Sequence, residues 1–236
     1  MQGNPKAMIE IKDLHVSYGQ SEVIHGVNLE AKAGQIVAVM GRNGMGKTTL
    51  FKSLMGVIRS TSGTIKINGV DVTRMPSYQR VKQGIAYVPQ GRMIFPSLTV
   101  WENLLTGLEG SPTGKLPPDI FTLFPVLAEM KTRRGGNLSG GQQQQLAIAR
   151  ALAAEPKVLL LDEPTEGIQP SVIKDIAQVL LKVRDSRNLT IIVSEQVLSF
   201  TMEILDRLLV IEGGRFTADE PREKVDVGEV RRLLAV

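Results

Sequence analysis

The chain has 236 residues, 42% hydrophobic and 22% charged, with a formal net charge of +4, a composition that suits one generous domain or two small lobes and excludes a disordered or fibrous chain. The absence of cysteine excludes disulfide frameworks, thiolate zinc sites and thiol nucleophiles together. The apolar runs, such as Ile36 to Met40 and Val158 to Leu161, fall far below the ~18 residues of a bilayer span, and MQGNPKAMIE lacks the apolar stretch of a secretory signal, so the chain is expected to act where it is made.

In chain order, MIEIKDLHV and the stretch from Val23 to Glu30 read as opening strands. His15 and His25 lie in them, too isolated for a metal site, which needs clustered ligands. Gln35 to Met40 is a short buried strand running into glycines, and Lys47 to Val57 reads as a helix. Ser62-Gly63 and Asn68-Gly69 bracket TIKI, a hairpin strand with a tight turn after it. Pro76 suits the first position of a helix over Ser77 to Gln83, followed by a strand from Ile85 to Val88.

From Thr99 to Arg134 β-branched alternation fades, and apart from the loop GSPTGKLPP the sequence reads helical. Residues 90–155 are therefore expected to form a helical subdomain inserted in an α/β lobe of residues 1–89 and 156–236, all within one domain. Lys131, Arg133 and Arg134 make the only notable basic cluster, read as a solvated face. Pro156 closes the preceding helix. The α/β rhythm then resumes with a strand at Val158 to Leu161, a helix at Ser171 to Arg184, and strands at Leu189 to Val193 and Leu208 to Ile211. The tail GEVRRLLAV can form a short amphipathic helix. Strands alternating with helices predict an α/β fold with a largely parallel sheet.

Gly41-Arg42-Asn43-Gly44-Met45-Gly46-Lys47-Thr48 fits G-x-x-x-x-G-K-[ST] between an apolar strand and a helix, the context of a P-loop. Glycines let several backbone N–H groups turn toward phosphate oxygens, and the helix start adds its own unpaired donors. Lys47 is expected to meet the β- and γ-phosphates, Thr48 to ligate Mg²⁺, and Thr49 to complete the phosphate-binding first turn. An acidic partner for Mg²⁺ is expected at the end of an apolar strand beside the P-loop strand, and VLLLDE supplies Asp162 and Glu163. Neighbours on a strand face opposite ways, so Asp162 is expected to face Mg²⁺ and Glu163 to orient a water at the γ-phosphate. ATP and Mg²⁺ are the implied ligands.

Leu138-Ser139-Gly140-Gly141-Gln142, heading a helix that runs through AIARALAAE, resembles the signature of ATP-binding cassette ATPases. Physically it is a second anion site, a serine hydroxyl and glycine N–H groups at a helix start. The resemblance implies a P-loop NTPase cassette with a mainly parallel sheet, an N-terminal antiparallel β subdomain and an inserted helical subdomain. It also implies a head-to-tail dimer in which Ser139, Gly140, Gly141 and Gln142 clamp ATP held by the opposite subunit. By the same resemblance Tyr18, in SYGQ, stacks on adenine, and Gln90, in AYVPQGR, reaches Mg²⁺ and the attacking water. Phe95, Leu98 and Trp101 would line the groove that receives a cytoplasmic helix of a membrane subunit near Gln90.

Two positions depart from the family pattern. Glu166-Gly167-Ile168-Gln169 stands where SALD is usual, placing Gln169 at the aspartate's position, and Gln196 replaces the usual switch histidine. A glutamine amide donates a hydrogen bond but exchanges no proton near neutral pH, so Glu163 takes the basic role and Gln196 senses the γ-phosphate. Glutamine here is similar to the ATP-binding subunits of importers for branched-chain amino acids and for urea and short amides. PQGRMIFPSLTVWENL, LSGGQQQQLAIARAL and especially DEPTEGIQPS look most like the urea type, although Met93 stands where an acidic residue is usual.

The resemblance thus implies an ATP-hydrolysing motor subunit of an importer for urea or short amides, with branched-chain amino acids as the alternative. It would lie peripherally on the cytoplasmic face of the inner membrane, paired with a related cassette and with permease subunits, its positive charge serving phosphates rather than nucleic acid. A soluble cassette ATPase acting on DNA or ribosomes would carry a long coiled-coil insertion or a second cassette. A P-loop kinase or a binding module without turnover would not need LSGGQ.

Overall fold

The computed structural model describes residues 7–234; residues 1–6 of the opening stretch read for a signal, and the last two of the tail, lie outside them. β1 (Ala7–Tyr18) and β2 (Ser21–Lys32) form a long antiparallel hairpin. Ile9 and Ile11, then Leu14 and Val16, are buried. The alternation skips a residue where the register slips and Asp13 takes a φ of 46°, so that both halves of β1 keep their apolar side inward. His15 and His25 sit opposite one another on the hairpin, and both contact Glu22. β4 (Ser62–Ile67) and β5 (Val70–Asp71) complete a sheet ordered β2-β1-β4-β5. The Asn68-Gly69 turn between them has both residues at positive φ, 48° and 80°, as a two-residue hairpin requires.

The second sheet is ordered β10-β9-β3-β8-β7-β6. Its strands are β3 (Ile36–Met40), β6 (Ile85–Val88), β7 (Val158–Asp162), β8 (Thr190–Glu195), β9 (Arg207–Glu212) and β10 (Arg215–Pro221). All its pairings are parallel except β9 with β10. β3, β7 and β8 are buried at every position, which is why they read as continuous apolar runs rather than alternating ones. Successive residues still serve opposite faces. Val37 and Val39 join the core shared with the first sheet and α1 (Lys47–Leu54). Ile36, Ala38 and Met40 join the core shared with α3 (Val100–Thr106), α6 (Gly140–Ala153) and α7 (Pro170–Arg187).

Between β6 and β7 the chain is helical: α3, α4 (Ile120–Leu123), α5 (Pro125–Glu129) and α6 follow one another with two short 3-10 turns. α3 starts at a capping box, the Thr99 hydroxyl accepting from the Glu102 N–H while the Glu102 carboxylate accepts from Thr99. Lys131, Arg133 and Arg134 are exposed.

Several boundaries differ from the sequence reading. α1 ends at Leu54 rather than Val57. Gly56 turns to a φ of 72°, and the buried guanidinium of Arg80, from α2 (Ser77–Lys82), takes the carbonyls of Ser53 and Leu54 at 2.7 and 2.8 Å. A side chain from elsewhere thus satisfies the helix's last carbonyls. The acidic strand is not the neighbour of the P-loop strand, because β8 lies between β3 and β7. β5, β10 and α8 (Leu198–Ile204) are further elements. The tail helix is α9 (Val227–Leu234).

Candidate functional site

The loop from Gly41 to Gly46 joins the end of β3 to the start of α1. Gly41 passes so close to β9 that a Cβ there would lie 2.5 Å from the Ile211 carbonyl oxygen. Gly46, at a φ of 105°, starts α1 with no side-chain cap, so the N–H groups of the first turn are left for a ligand, and the helix dipole favours an anion there. Met45 turns its side chain toward the core and its carbonyl accepts from Gly214 N–H at 3.1 Å, which ties the loop to the turn between β9 and β10. A cavity of about 190 Å³ opens here, lined by Lys47, Thr48, Thr49, Gln90 and Glu163 with Asn43 and Gly44 of the loop.

Lys47 is buried, and its ammonium donates to the carbonyls of Gly41 and Arg42 at 2.6 and 3.0 Å. It also stands 3.1 Å from Glu163 Oε1. The same oxygen accepts from the Gln196 amide at 3.0 Å, and that amide also donates to Asn43 Oδ1 at 2.8 Å. Glu163 Oε2 accepts from the Gln90 amide at 3.3 Å, which reaches Glu166 at 3.1 Å as well. Three separate segments therefore meet at one carboxylate. Lys47 and Glu163 pair directly, and an anion bound at the loop would share that ammonium.

Strand alternation does not set the direction of Glu163. β7 ends at Asp162, and Glu163 takes a left-handed φ of 47°, its N–H donating to the carbonyl and hydroxyl of Ser194 at 3.0 and 3.2 Å. A non-glycine residue held in that region is strained and persists only where neighbours fix it. Asp162 itself is 1% exposed. Its carboxylate accepts from the hydroxyls of Ser194 and, at 3.0 Å, of Tyr87. Burial, and then the Asp162 charge, push the Tyr87 phenol far above its ordinary range, so it stays protonated and donates.

Glu195 was not visible as a site residue, though an acid ending an apolar strand is a signal. It is buried, and it accepts from the N–H and hydroxyl of Thr165 at 2.9 and 2.7 Å and from the N–H groups of Gln196 and Val197 at 2.9 and 3.2 Å. Burial pushes its carboxyl up, and these hydrogen bonds oppose the rise. Glu195 thereby ties the turn after Glu163 to the segment bearing Gln196.

The signature residues are not part of this cavity. Ser139 caps α6, its hydroxyl accepting from Gln142 N–H at 3.3 Å while Gln142 Oε1 accepts from Ser139 N–H at 2.9 Å. A Cβ on Gly141 would lie 2.9 Å from Val172, so that glycine also sets the packing of α6 on α7. Tyr18, at the tip of the first hairpin, is 50% exposed, and Gln169 is an exposed residue before α7.

A second concavity of about 630 Å³ is lined mainly by apolar groups including Met55, Val57, Tyr87, Pro89, Met93 and Phe95. Phe95 is part of this lining, and Trp101 and Leu98 are not. The turn of α3 buries Val100 and Leu104 and sends Trp101 the other way, to stack on Phe121 with ring centroids 6.3 Å apart. Leu98 instead lends its carbonyl to Gly135 N–H and the Asn103 amide.

A family model described as ABC transporter matches residues 24–166. The chain is 38% identical over 213 residues to the high-affinity branched-chain amino acid transport ATP-binding protein BraG of Pseudomonas aeruginosa, covering 88% of this chain and 90% of that protein. It is 32% identical over 234 residues to the lipopolysaccharide export system ATP-binding protein LptB of Haemophilus influenzae, 96% of each. Its fold superposes with a TM-score of 0.82 on the dimeric post-hydrolysis state of the ATP-binding cassette MJ0796 bound to ADP and Pi, at 25% identity over 91% of this chain and 99% of that one.

Proposed function

The chain belongs to the ATP-binding cassette family of transporter ATPases, and on that premise we propose that it is the ATP-hydrolysing motor of a membrane importer for a small polar solute. The observation that carries this is the convergence of Lys47, Gln90 and Gln196 on Glu163. It groups a carboxylate, a cation and two amide donors, the set that holding a water against a γ-phosphate calls for.

Residues Gly41 to Thr49, with Tyr18 on the adenine, are assigned to one ATP. Ser139, Gly140, Gly141 and Gln142 are assigned to the ATP of the opposite subunit in a head-to-tail dimer, the partner being a related cassette. Thr48, Gln90 and Asp162 offer oxygen donors of the kind Mg²⁺ takes, and Mg²⁺ when bound supplies charge neutralisation at the phosphates. Asp162, whose carboxylate two hydroxyls orient, would be the acidic member of that set. Gln169 takes the position of the usual aspartate at the dimer contact. Residues 90–155 act as the helical subdomain, and the groove bearing Phe95 and Met93 receives a cytoplasmic segment of the permease.

No helix among the described residues is long and apolar enough to cross a membrane, which agrees with a peripheral subunit on the cytoplasmic face. For the solute, the segment DEPTEGIQPS favours urea or a short amide, while the likeness to BraG favours a branched-chain amino acid. Uptake of labelled urea and of labelled leucine in cells deleted for this chain separates the two. Loss of urea uptake with leucine uptake intact is expected, and the reverse result assigns the amino acid.

At position 196 an amide donates to Glu163 and Asn43 and releases no proton near neutrality. Turnover is therefore expected to show no step between about pH 6 and 7 that vanishes in Gln196→Ala, whereas Gln196→His should add one near the imidazole value of about 6.5. Steady-state rates of the three proteins across that range check this. A wild-type step lost with the alanine, or a strong gain on Gln196→His, would contradict the role given to the glutamine.

A further inference from the structure

Tyr87 lines the second concavity and bonds the Asp162 carboxylate. On β6 it pairs with Leu160 of β7, so its side chain shares a face with Leu160 and Asp162. Its hydroxyl reaches Asp162 Oδ2 at 3.0 Å. Its ring meets Phe51 of α1 edge-on, centroids 6.5 Å apart and planes at 67°, and it is also part of the groove lining with Met55, Val81 and Pro89. One stiff side chain thus runs from a solvent-accessible groove to a carboxylate that is 1% exposed. The other oxygen of Asp162 is held by Ser194, which sits on buried β8 and also receives the Glu163 N–H. Of the two hydroxyls on Asp162, only that of Tyr87 belongs to a residue lining the groove.

We propose that Tyr87 is a positioning residue that couples the contents of the groove to the orientation of the Asp162 carboxylate. An occupant of the groove fixes the ring and keeps its hydroxyl on Oδ2. Coupling between two sites is reciprocal, so engagement of Asp162 by a cation must be felt at the groove. The identity of the occupant rests on the docking role proposed above; the link from Tyr87 to Asp162 does not.

The absence of cysteine makes the test direct. Val57→Cys, at a groove position 61% exposed, places one environment-sensitive fluorophore on the full chain. With saturating ADP, adding Mg²⁺ is expected to shift its emission beyond the signal seen with ADP and chelator. In the same labelled protein, Tyr87→Phe keeps the ring and removes the hydroxyl. Most of the Mg²⁺-dependent shift should then disappear, and the Mg²⁺ needed for half-saturation should rise about fivefold, the lower end of ordinary coupling factors. Tyr87→Leu should reproduce the loss, and Mg²⁺-free binding of a fluorescent ADP should stay unchanged in both. An undiminished shift in Tyr87→Phe, or no Mg²⁺-dependent shift in the labelled parent, overturns the coupling. Docking is read separately, by whether Phe95→Asp releases the chain from membranes of its source cells, and that result leaves the fluorescence outcome untouched.

Discussion

Glu163→Gln should lower ATP turnover by about 10²- to 10⁴-fold, the range carried by a positioned general base, while ATP stays bound. The substitution is nearly isosteric, so the left-handed turn anchored on Ser194 is kept. What changes is one oxygen for an NH₂ among donors from Lys47, Gln196 and Gln90, together with the loss of the negative charge that polarises water. Binding should not suffer, because Lys47 loses the carboxylate that competes with phosphate for its ammonium. Steady-state hydrolysis and fluorescent-nucleotide titration read the two effects apart, and an ATP-dependent gain in dimer should accompany the block. Unchanged turnover would remove Glu163 from the chemistry.

Lys47→Ala is expected to act on binding first. The ammonium is the cation at the floor of the cradle, 4% exposed, with Glu163 beside it and two loop carbonyls turned toward it. Without it, phosphates would meet carbonyl oxygens and a carboxylate with no compensating charge. A hydrogen bond to a charged group contributes about 1.5–3 kcal/mol, so affinity for ATP should weaken at least tenfold and by up to about a hundredfold, with turnover falling further. Lys47→Arg should not restore it, because a planar guanidinium does not fit where a compact ammonium is enclosed. Titration of both variants checks this, and near-native ATP affinity in Lys47→Ala would contradict the cradle.

The parts of this arrangement that could be read in advance were those with short-range causes. The glycines of 41–46 and the lysine after them specify a strand-to-helix turn by backbone geometry alone, and VLLLD declares a strand buried on both faces. The direction of Glu163 was legible only as an outcome. Alternation sets Glu163 opposite Asp162, but the residue leaves the strand through a left-handed turn held by Ser194 from β8.

The same long-range cause hid three other features. β8 inserts between β3 and β7, a matter of sheet order that no local pattern records. Arg80 ends α1 from a helix 26 residues away in the chain. Glu195 looks unremarkable in sequence until its four donors from Thr165, Gln196 and Val197 are in place. Trp101 lies away from that concavity because helical phase, which decides which face of α3 is buried, depends on where the Thr99 cap starts the helix.

The proposed role of Glu163 as the water-orienting base between two subunits is tested most directly by a structure of the Glu163→Gln protein with ATP, Mg²⁺ and a second cassette. The expected result has the phosphates in the loop from Gly41 to Thr49, Asp162 and Thr48 at the cation, residue 163 one water from the γ-phosphate, and the partner's signature helix closing the other side. A γ-phosphate beyond the reach of residue 163, or a nucleotide bound outside that loop, would contradict it.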